Sequence, residues 1–207
     1  MSLKHSYTLL APVYDLMVSY ATQNFRPASL ARLNIQTDQK ILIAGIGTGL
    51  DIPHLPQQAD YLGVDLTYAM LKRAQNRTAE STLQLQLCQG NVMQLPCADN
   101  TFDHIVMHLI LSVVPDPVTT LQEMSRALKP GGQIVIVDKF LRRGERAWLK
   151  RIVNPIMRRI ATRTDVVFED VLEQSPALQV QADKPLLAGG WFRNIHLYKS
   201  TSAGNAG

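Results

Sequence analysis

Residues 41–56 read ILIAGIGTGLDIPHLP, an apolar run broken by glycines at 45, 47 and 49. Glycines at a strand end let the backbone turn sharply and lie against a ligand with no Cβ in the way. The next apolar run, YLGVD, ends in Asp65, 18 residues beyond Gly47. A carboxylate at that second strand end accepts hydrogen bonds from both hydroxyls of a ribose. Together, Gly45, Gly47, Gly49 and Asp65 predict a bound nucleoside. Leu50 fills the position where a dinucleotide fingerprint has its third glycine, and no lysine followed by serine or threonine completes a phosphate cradle. The nucleoside is therefore expected to carry no diphosphate. His108 ends the run FDHIVMH and is read either as a proton acceptor or wall of the site, or as a hydrogen-bonded histidine at a strand end. His104, earlier in that run, reads as structural, and Asp103 as ordering the turn before it. Tyr7 and Tyr14 read as part of a lid from a first helix, or as tyrosines on one apolar helix face.

These residues need elements to position them. Strand-like runs occur at Ile41–Ala44, Tyr61–Val64, Leu83–Cys88, Phe102–Met107 and Ile134–Val137. Helix-like stretches lie between, at Leu50–Leu55 (short, with Pro53 inside), Tyr68–Thr78 and Pro117–Leu128. Pro117 suits a first helical turn, and Lys129–Gly132 reads as a breaker closing that helix. Strands alternating with helices predict one α/β domain with a mostly parallel sheet. Ligands in such sheets bind at the carboxyl ends of the strands, where strand order reverses, which is where the glycines fall.

Composition sets the outer limits. The 207 residues are 46% hydrophobic and 18% charged, which fits a globular domain and neither a disordered chain nor a membrane span. The net charge of +4 permits an anionic partner without demanding one. The opening MSLKHSY has no apolar stretch, and Cys88 and Cys97 stand in no metal-binding spacing, so a reduced cytoplasmic setting without a metal is expected. The small polar residues 201–207 read as a flexible tail.

Four segments in order, ILIAGIGTG, YLGVDLTYAML, QGNVMQLPCADNTFDHIV and EMSRALKPGGQIVIVD, resemble the successive motifs of class I S-adenosylmethionine-dependent methyltransferases. The resemblance covers about residues 38–140. It implies a single-domain, doubly wound, mostly parallel seven-stranded sheet of the Rossmann-like type. It also implies S-adenosylmethionine as cofactor and S-adenosylhomocysteine as product. The glycine turn of Gly45, Gly47 and Gly49 would then pack under the methionine part, with Asp65 on the ribose. Leu66 and Met70 would flank the adenine, and Asn91 and Val92 would read its edge. His108 would stand beside the methionine, and His108 and Tyr14 are the catalytic candidates. Two positions depart from the family: Ile43 stands where an acid often helps hold the methionine amino end, and Asn91 stands where aspartate is frequent. An asparagine oxygen still accepts from an adenine amino group. With Ile43 in place, holding the amino end passes to backbone carbonyls, waters or another side chain, and Asp51 lies just beyond the turn.

The segments outside those motifs must choose the acceptor, which divides the chain into an N-terminal helical substrate or lid region (1–37), a methyltransferase domain (38–200) and the tail. From Lys139 to Arg163 nine basic residues meet one acid, Glu145, with Trp148 and aliphatic residues at helical spacing. A basic amphipathic insertion at about 141–163, with Arg142, Arg143, Arg146, Lys150 and Arg151, suits an anionic membrane surface; it also suits a cover helix showing its basic face to water. MHLILSVVPDP, EMSRALKPGGQIVIVDKF and YTLLAPVYD are similar to bacterial phospholipid N-methyltransferases and, less closely, to quinone-methylating enzymes. The implied acceptor is a lipid amine such as phosphatidylethanolamine, with a quinone or a small soluble metabolite as the alternative. A nicotinamide oxidoreductase is disfavoured by Leu50 and the lack of a second domain. A non-catalytic nucleotide-binding protein is left open by Ile43 and Asn91. MHLI after the fourth strand, in place of an N-P-P-Y-like tetrad, argues against nucleic acid as substrate.

Overall fold

Residues 41–44 are apolar at every position, the composition of a strand covered on both faces. The computed structural model describes residues 25–141, 143, 166–187 and 192–201, and there the first strand, β1 (Lys40–Ala44), is buried from Ile41 onward. Its side chains alternate between two cores. Ile41 and Ile43 pack with Leu33, Leu71, Ala74, Val106 and Val135, whereas Leu42 and Ala44 pack with Ile105, Leu121, Met124, Ile136 and Phe168. Each sheet face thus carries its own layer of helices.

Those layers follow from the remaining elements. A short helix α1 (Phe25–Leu30) and a 3-10 turn (Ala31–Leu33) precede β1. Then come β2 (Asp60–Asp65), α2 (Tyr68–Ala79), β3 (Gln84–Gln89), β4 (Phe102–His108), α3 (Pro117–Ala127), β5 (Leu128–Lys139), α4 (Phe168–Glu173), β6 (Leu178–Leu187) and β7 (Phe192–Lys199). The sheet has seven strands in the order β3-β2-β1-β4-β5-β7-β6. β1 to β5 run parallel, and β7 is antiparallel to both its neighbours. The chain works outward from β1 to β3 and then crosses to β4 and β5. The reversal therefore lies between β1 and β4, and a crevice opens there at the carboxyl ends of the strands.

Helix α3 starts where expected. Asp116 accepts from the N–H groups of Val118 (3.0 Å) and Thr119 (3.1 Å), and Pro117 fills the first turn. Two expectations need correction. The stretch Leu50–Leu55 is only a 3-10 turn at Ile52–His54, with Pro53 inside it. The breaker Lys129–Gly132 lies within β5, where the pairing with β4 is irregular and Gly131 takes φ +78°. Asp103 sits inside β4 and joins three strands, accepting from the Lys40 N–H (2.9 Å) and the Lys129 ammonium (2.7 Å). β6 was announced by no apolar run, because an edge strand tolerates polar residues and Pro185.

Of the five basic residues singled out for a membrane surface, Arg143 is described; Arg142, Arg146, Lys150 and Arg151 lie outside the described residues, as do Trp148, Tyr7 and Tyr14. Arg143 is exposed and bonds to Asp170 (2.8 Å) and Glu173 (2.6 Å) of α4. Among the described residues, no helix is long and apolar enough to cross a membrane.

Candidate active site

The turn after β1 is fixed against β2: the N–H groups of Gly45 and Ile46 both donate to the Val64 carbonyl, at 2.8 and 3.0 Å. Gly47 and Gly49 both take positive φ, at +57° and +81°, where a side chain is strained. Their surroundings differ. A Cβ on Gly49 would stand 2.5 Å from Ile52 and 3.1 Å from the Ala74 backbone, so this glycine lets α2 close on the turn. That packing role stands beside the cofactor contact expected of Gly49. A Cβ on Gly47 would meet nothing nearer than the Gly45 carbonyl at 4.0 Å, and the space it would occupy belongs to the crevice.

Asp65 closes one end. Its Oδ2 accepts from the Gly47 N–H (2.9 Å) and its Oδ1 from the Thr67 N–H (2.8 Å), so the carboxylate ties the glycine turn to the end of β2. Each oxygen has a further lone pair for a ligand hydroxyl. Burial pushes its pKa up, and the Thr67 and Gly47 N–H groups offset only part of that. Around it lie Leu66, 52% exposed, and the buried Met70 and Val92. Asn91 is exposed, and its Oδ1 accepts from the Met93 N–H (3.0 Å), which uses one of its two lone pairs. Gly45, Gly47, Asp65, Leu66, Met70, Asn91, Val92 and His108 all line one cavity of ≈ 260 Å³. Leu109, Ile110, Val113, Val114 and Pro115 form an apolar wall of the cavity, with Ile110 packed against Gly45 of the turn. That wall hangs from Asp138, fully buried, which accepts from the N–H groups of Ser112 (2.9 Å) and Lys139 (2.8 Å).

The other end is built from residues far apart in sequence. Asp51 Oδ1 accepts from Arg26 Nη1 (2.6 Å) and stands 2.8 Å from His108 Nδ1. His108 Nε2 lies 3.1 Å from Ser29 Oγ, and the Phe25 ring meets the imidazole edge-on at 6.3 Å. Burial would raise the Asp51 carboxyl, but the His108 and Arg26 charges and hydrogen bonds outweigh it and hold the group below the usual carboxylate range. An acceptor at Nδ1 makes that nitrogen the donor and turns Nε2 toward the serine hydroxyl. Asp51, His108 and Ser29 thus share the connectivity of a hydrolytic triad. Ser29, however, is fully buried and does not line the cavity, so it holds the imidazole rather than meeting a ligand. His108 is a hydrogen-bonded histidine at a strand end whose ring also faces the site. Ile43 is 1% exposed in the core beneath α1 and does not line the cavity. His104 is buried, bonded through Nε2 to Gln39 (3.1 Å).

Sequence reasoning missed Arg26 and Ser29 outright. Asp51 gave the one available signal, an acid inside the otherwise apolar run preceding His54.

Residues 42–136 match the methyltransferase domain family. The chain is 30% identical over 183 residues to a phosphatidylethanolamine N-methyltransferase of Cereibacter sphaeroides, across 87% of this chain and 89% of that protein. The chain belongs to the S-adenosylmethionine-dependent methyltransferases. It is also 32% identical over 143 residues to a demethylmenaquinone methyltransferase of Oceanobacillus iheyensis, covering 65% of this chain but only 60% of that protein. Among solved structures, geranyl diphosphate C-methyltransferase from Streptomyces coelicolor A3(2), in complex with Mg²⁺, geranyl diphosphate and S-adenosyl-L-homocysteine, superposes with TM-score 0.70. That match has 15% identity over 88% of this chain and 82% of the other, a likeness of fold. The methyltransferase transfers a methyl group from S-adenosylmethionine to an acceptor. Its cavity fits that cofactor: the space beside Gly47 admits a ligand against bare backbone, and the donor and acceptor set is charged at both ends and apolar between.

Proposed function

We propose that the acceptor is the amine of a phospholipid headgroup, phosphatidylethanolamine in the first place, methylated at the cytoplasmic face of a membrane by a peripherally bound enzyme. The observation that carries this is the similarity to the Cereibacter sphaeroides phospholipid enzyme along 89% of its length, beyond the shared cofactor motifs. The nine basic residues between Lys139 and Arg163 support it, since basic side chains near an anionic surface contribute about 1 kcal/mol each. So does the apolar wall of Ile110, Val113, Val114 and Pro115, which suits a ligand with an acyl-chain end.

In this reading Asp65 accepts from the two ribose hydroxyls with the lone pairs that Gly47 and Thr67 leave. Leu66 and Met70 cover the adenine faces, and Asn91 and Val92 meet its edge. Bound S-adenosylmethionine supplies an electrophilic methyl and leaves as S-adenosylhomocysteine. The protein's own work is alignment and exclusion of water. The glycine turn places backbone against the ligand, and the β4–α3 wall held by Asp138 gives the cavity its apolar lining. His108, fixed by Asp51 and Ser29, forms a rigid floor. Tyr14 is retained as a lid residue from region 1–37, which with the insertion at 141–163 would select the acceptor.

The test is methyl transfer from labelled S-adenosylmethionine to vesicles containing phosphatidylethanolamine, alongside sedimentation with anionic vesicles at rising salt. The reading predicts label in the lipid amine and release of protein by salt as the screening length shortens. Label in a demethylated quinone and not in the lipid would favour the second reading, which the Oceanobacillus iheyensis similarity supports. Protein that stays in the supernatant at low salt would overturn the membrane reading.

A further inference from the structure

The two edges of the sheet are built differently. β6 carries Asp183, Lys184 and Pro185, and its pairing with β7 shifts register between Val180 and Ala182 and again between Pro185 and Leu187. Charges, proline and bulges keep an edge strand from pairing with another chain. β3, the other edge, reads QLQLCQ, with no charge and no proline, and its register with β2 is regular from Gln84 to Gln89.

The open side of β3 can be assigned residue by residue. The Gly90 N–H donates to the Asp65 carbonyl (3.0 Å), so the alternation of a parallel ladder turns the backbone groups of Gln84, Gln86 and Cys88 toward β2. Leu85, Leu87 and Gln89 therefore turn theirs outward. The Leu85 N–H bends back to the Leu83 carbonyl (3.0 Å). Among the described residues, no backbone partner meets the Leu85 carbonyl, the Leu87 N–H and carbonyl, or the Gln89 N–H. Beside this row lies a groove of ≈ 600 Å³ between α2 and β3, lined by Tyr68, Leu71, Leu85 and Leu87, with the exposed Lys72 and Gln75 where it opens to water. Tyr68 is 68% exposed, more than any other large hydrophobic residue described.

We propose that β3 is a self-association edge whose occupant is β3 of a second copy of this chain, paired antiparallel about a two-fold axis at Leu87. In that register the Leu87 N–H of each copy donates to the Leu87 carbonyl of the other, and the Gln89 N–H to the Leu85 carbonyl. Every outward group without a partner is then satisfied. Leu85 falls opposite Gln89 and Gln86 opposite Cys88, so no like charges meet in the ladder. Leu85 and Leu87 of each copy extend the apolar floor of the other's groove. A second copy also accounts for the contrast between the edges. β3 against β3 uses one surface twice and closes as a dimer, while the guarded β6 gives an array nothing to continue on. Antiparallel pairing points the two cavity mouths in opposite directions, so neither copy covers the other's site.

The full chain is tested by sedimentation equilibrium, hydrogen exchange and thiol cross-linking. Sedimentation should show a monomer–dimer equilibrium. Gln89→Pro removes an outward N–H and leaves the β2 ladder intact, and it should weaken the dimer roughly tenfold or more. In wild-type protein, exchange at the Leu87 and Gln89 amides should slow as concentration rises. Non-hydrogen-bonded antiparallel pairs bring side chains close, so Gln86→Cys should form a disulfide with Cys88 of the second copy under mild oxidation. Adding Cys88→Ser should abolish that link, and Gln84→Cys, opposite Gly90, should not form it. Wild-type protein that stays monomeric at every concentration overturns the inference and leaves the edge to a strand of a different protein. A dimer whose Leu87 and Gln89 amides stay unprotected overturns it as well, whether or not Gln89→Pro folds. Linkage of Gln84→Cys in place of Gln86→Cys overturns the register about Leu87.

Discussion

The two acids of the cavity sit at opposite ends and in opposite electrostatic states. Asp65 is held by backbone N–H groups alone, and burial pushes its pKa up. Asp51 is more deeply buried, but Arg26 and His108 beside it hold its pKa down. One carboxylate therefore has no cationic side chain to compensate it, while the other is already compensated. The difference teaches that the Asp65 end is built by a local motif, with one turn and one strand end. The Asp51 end is instead built by tertiary convergence of α1, the 3-10 turn region and β4. The first is poised for binding, and the second binds the fold together as well.

The largest expected effect tests that second half. Asp51→Ala removes the buried acceptor that Arg26 Nη1 and His108 Nδ1 share. Breaking a buried pair in this way costs about 3–5 kcal/mol of folding stability. Urea unfolding of the two proteins measures it, and a loss below 1 kcal/mol would show that the pair is not the structural tie described here.

At the other end the loss should fall on binding. Asp65→Ala removes the acceptor for two ribose hydroxyls, on the order of 1.5–3 kcal/mol of cofactor affinity, with less effect on folding than the Asp51 change. Calorimetry with S-adenosylhomocysteine reads the affinity, and unchanged binding in a folded variant would put the ribose elsewhere.

The contrast also predicts a pH dependence. Hydroxyl donors from the ligand stabilise the Asp65 carboxylate, so its pKa in the complex lies below its raised value in the free protein. Affinity is then fully present above the free-protein pKa and declines as pH falls through it, at a higher pH than an ordinary carboxylate would give. Asp65→Asn should show no such decline. Asp51, held down by its partners, should leave affinity flat over the same range.

An effect on folding alone lies outside the cavity and serves as a control. Burial lowers the His104 pKa to about 4 from 6.5, so the unfolded chain binds a proton that the folded one refuses. Stability should decline as pH falls from 6.5 toward 4, and His104→Gln should flatten that slope without touching cofactor affinity.

Much of this architecture is legible in the residues themselves. The runs 41–44 and 105–107 are apolar at every position because both faces of those strands are covered, and Asp116–Pro117 starts α3 by local hydrogen bonding. The Asp65 end is legible for the same reason, since its partners Gly47 and Thr67 lie within one β-turn-β unit. The Asp51 end is not. Arg26 and His108 are 25 and 57 residues from Asp51, and no periodicity or spacing links them. Ile43 stands where the family often has an acid, and the sheet alternation places it in the core beneath α1. β6 escaped notice because an edge strand needs no apolar run.

The most direct test is a crystal structure of the protein with S-adenosylhomocysteine bound. The account predicts the ribose hydroxyls on the Asp65 carboxylate and the methionine part toward the Asp51 end of the cavity. A ligand lying in the reverse direction would contradict it.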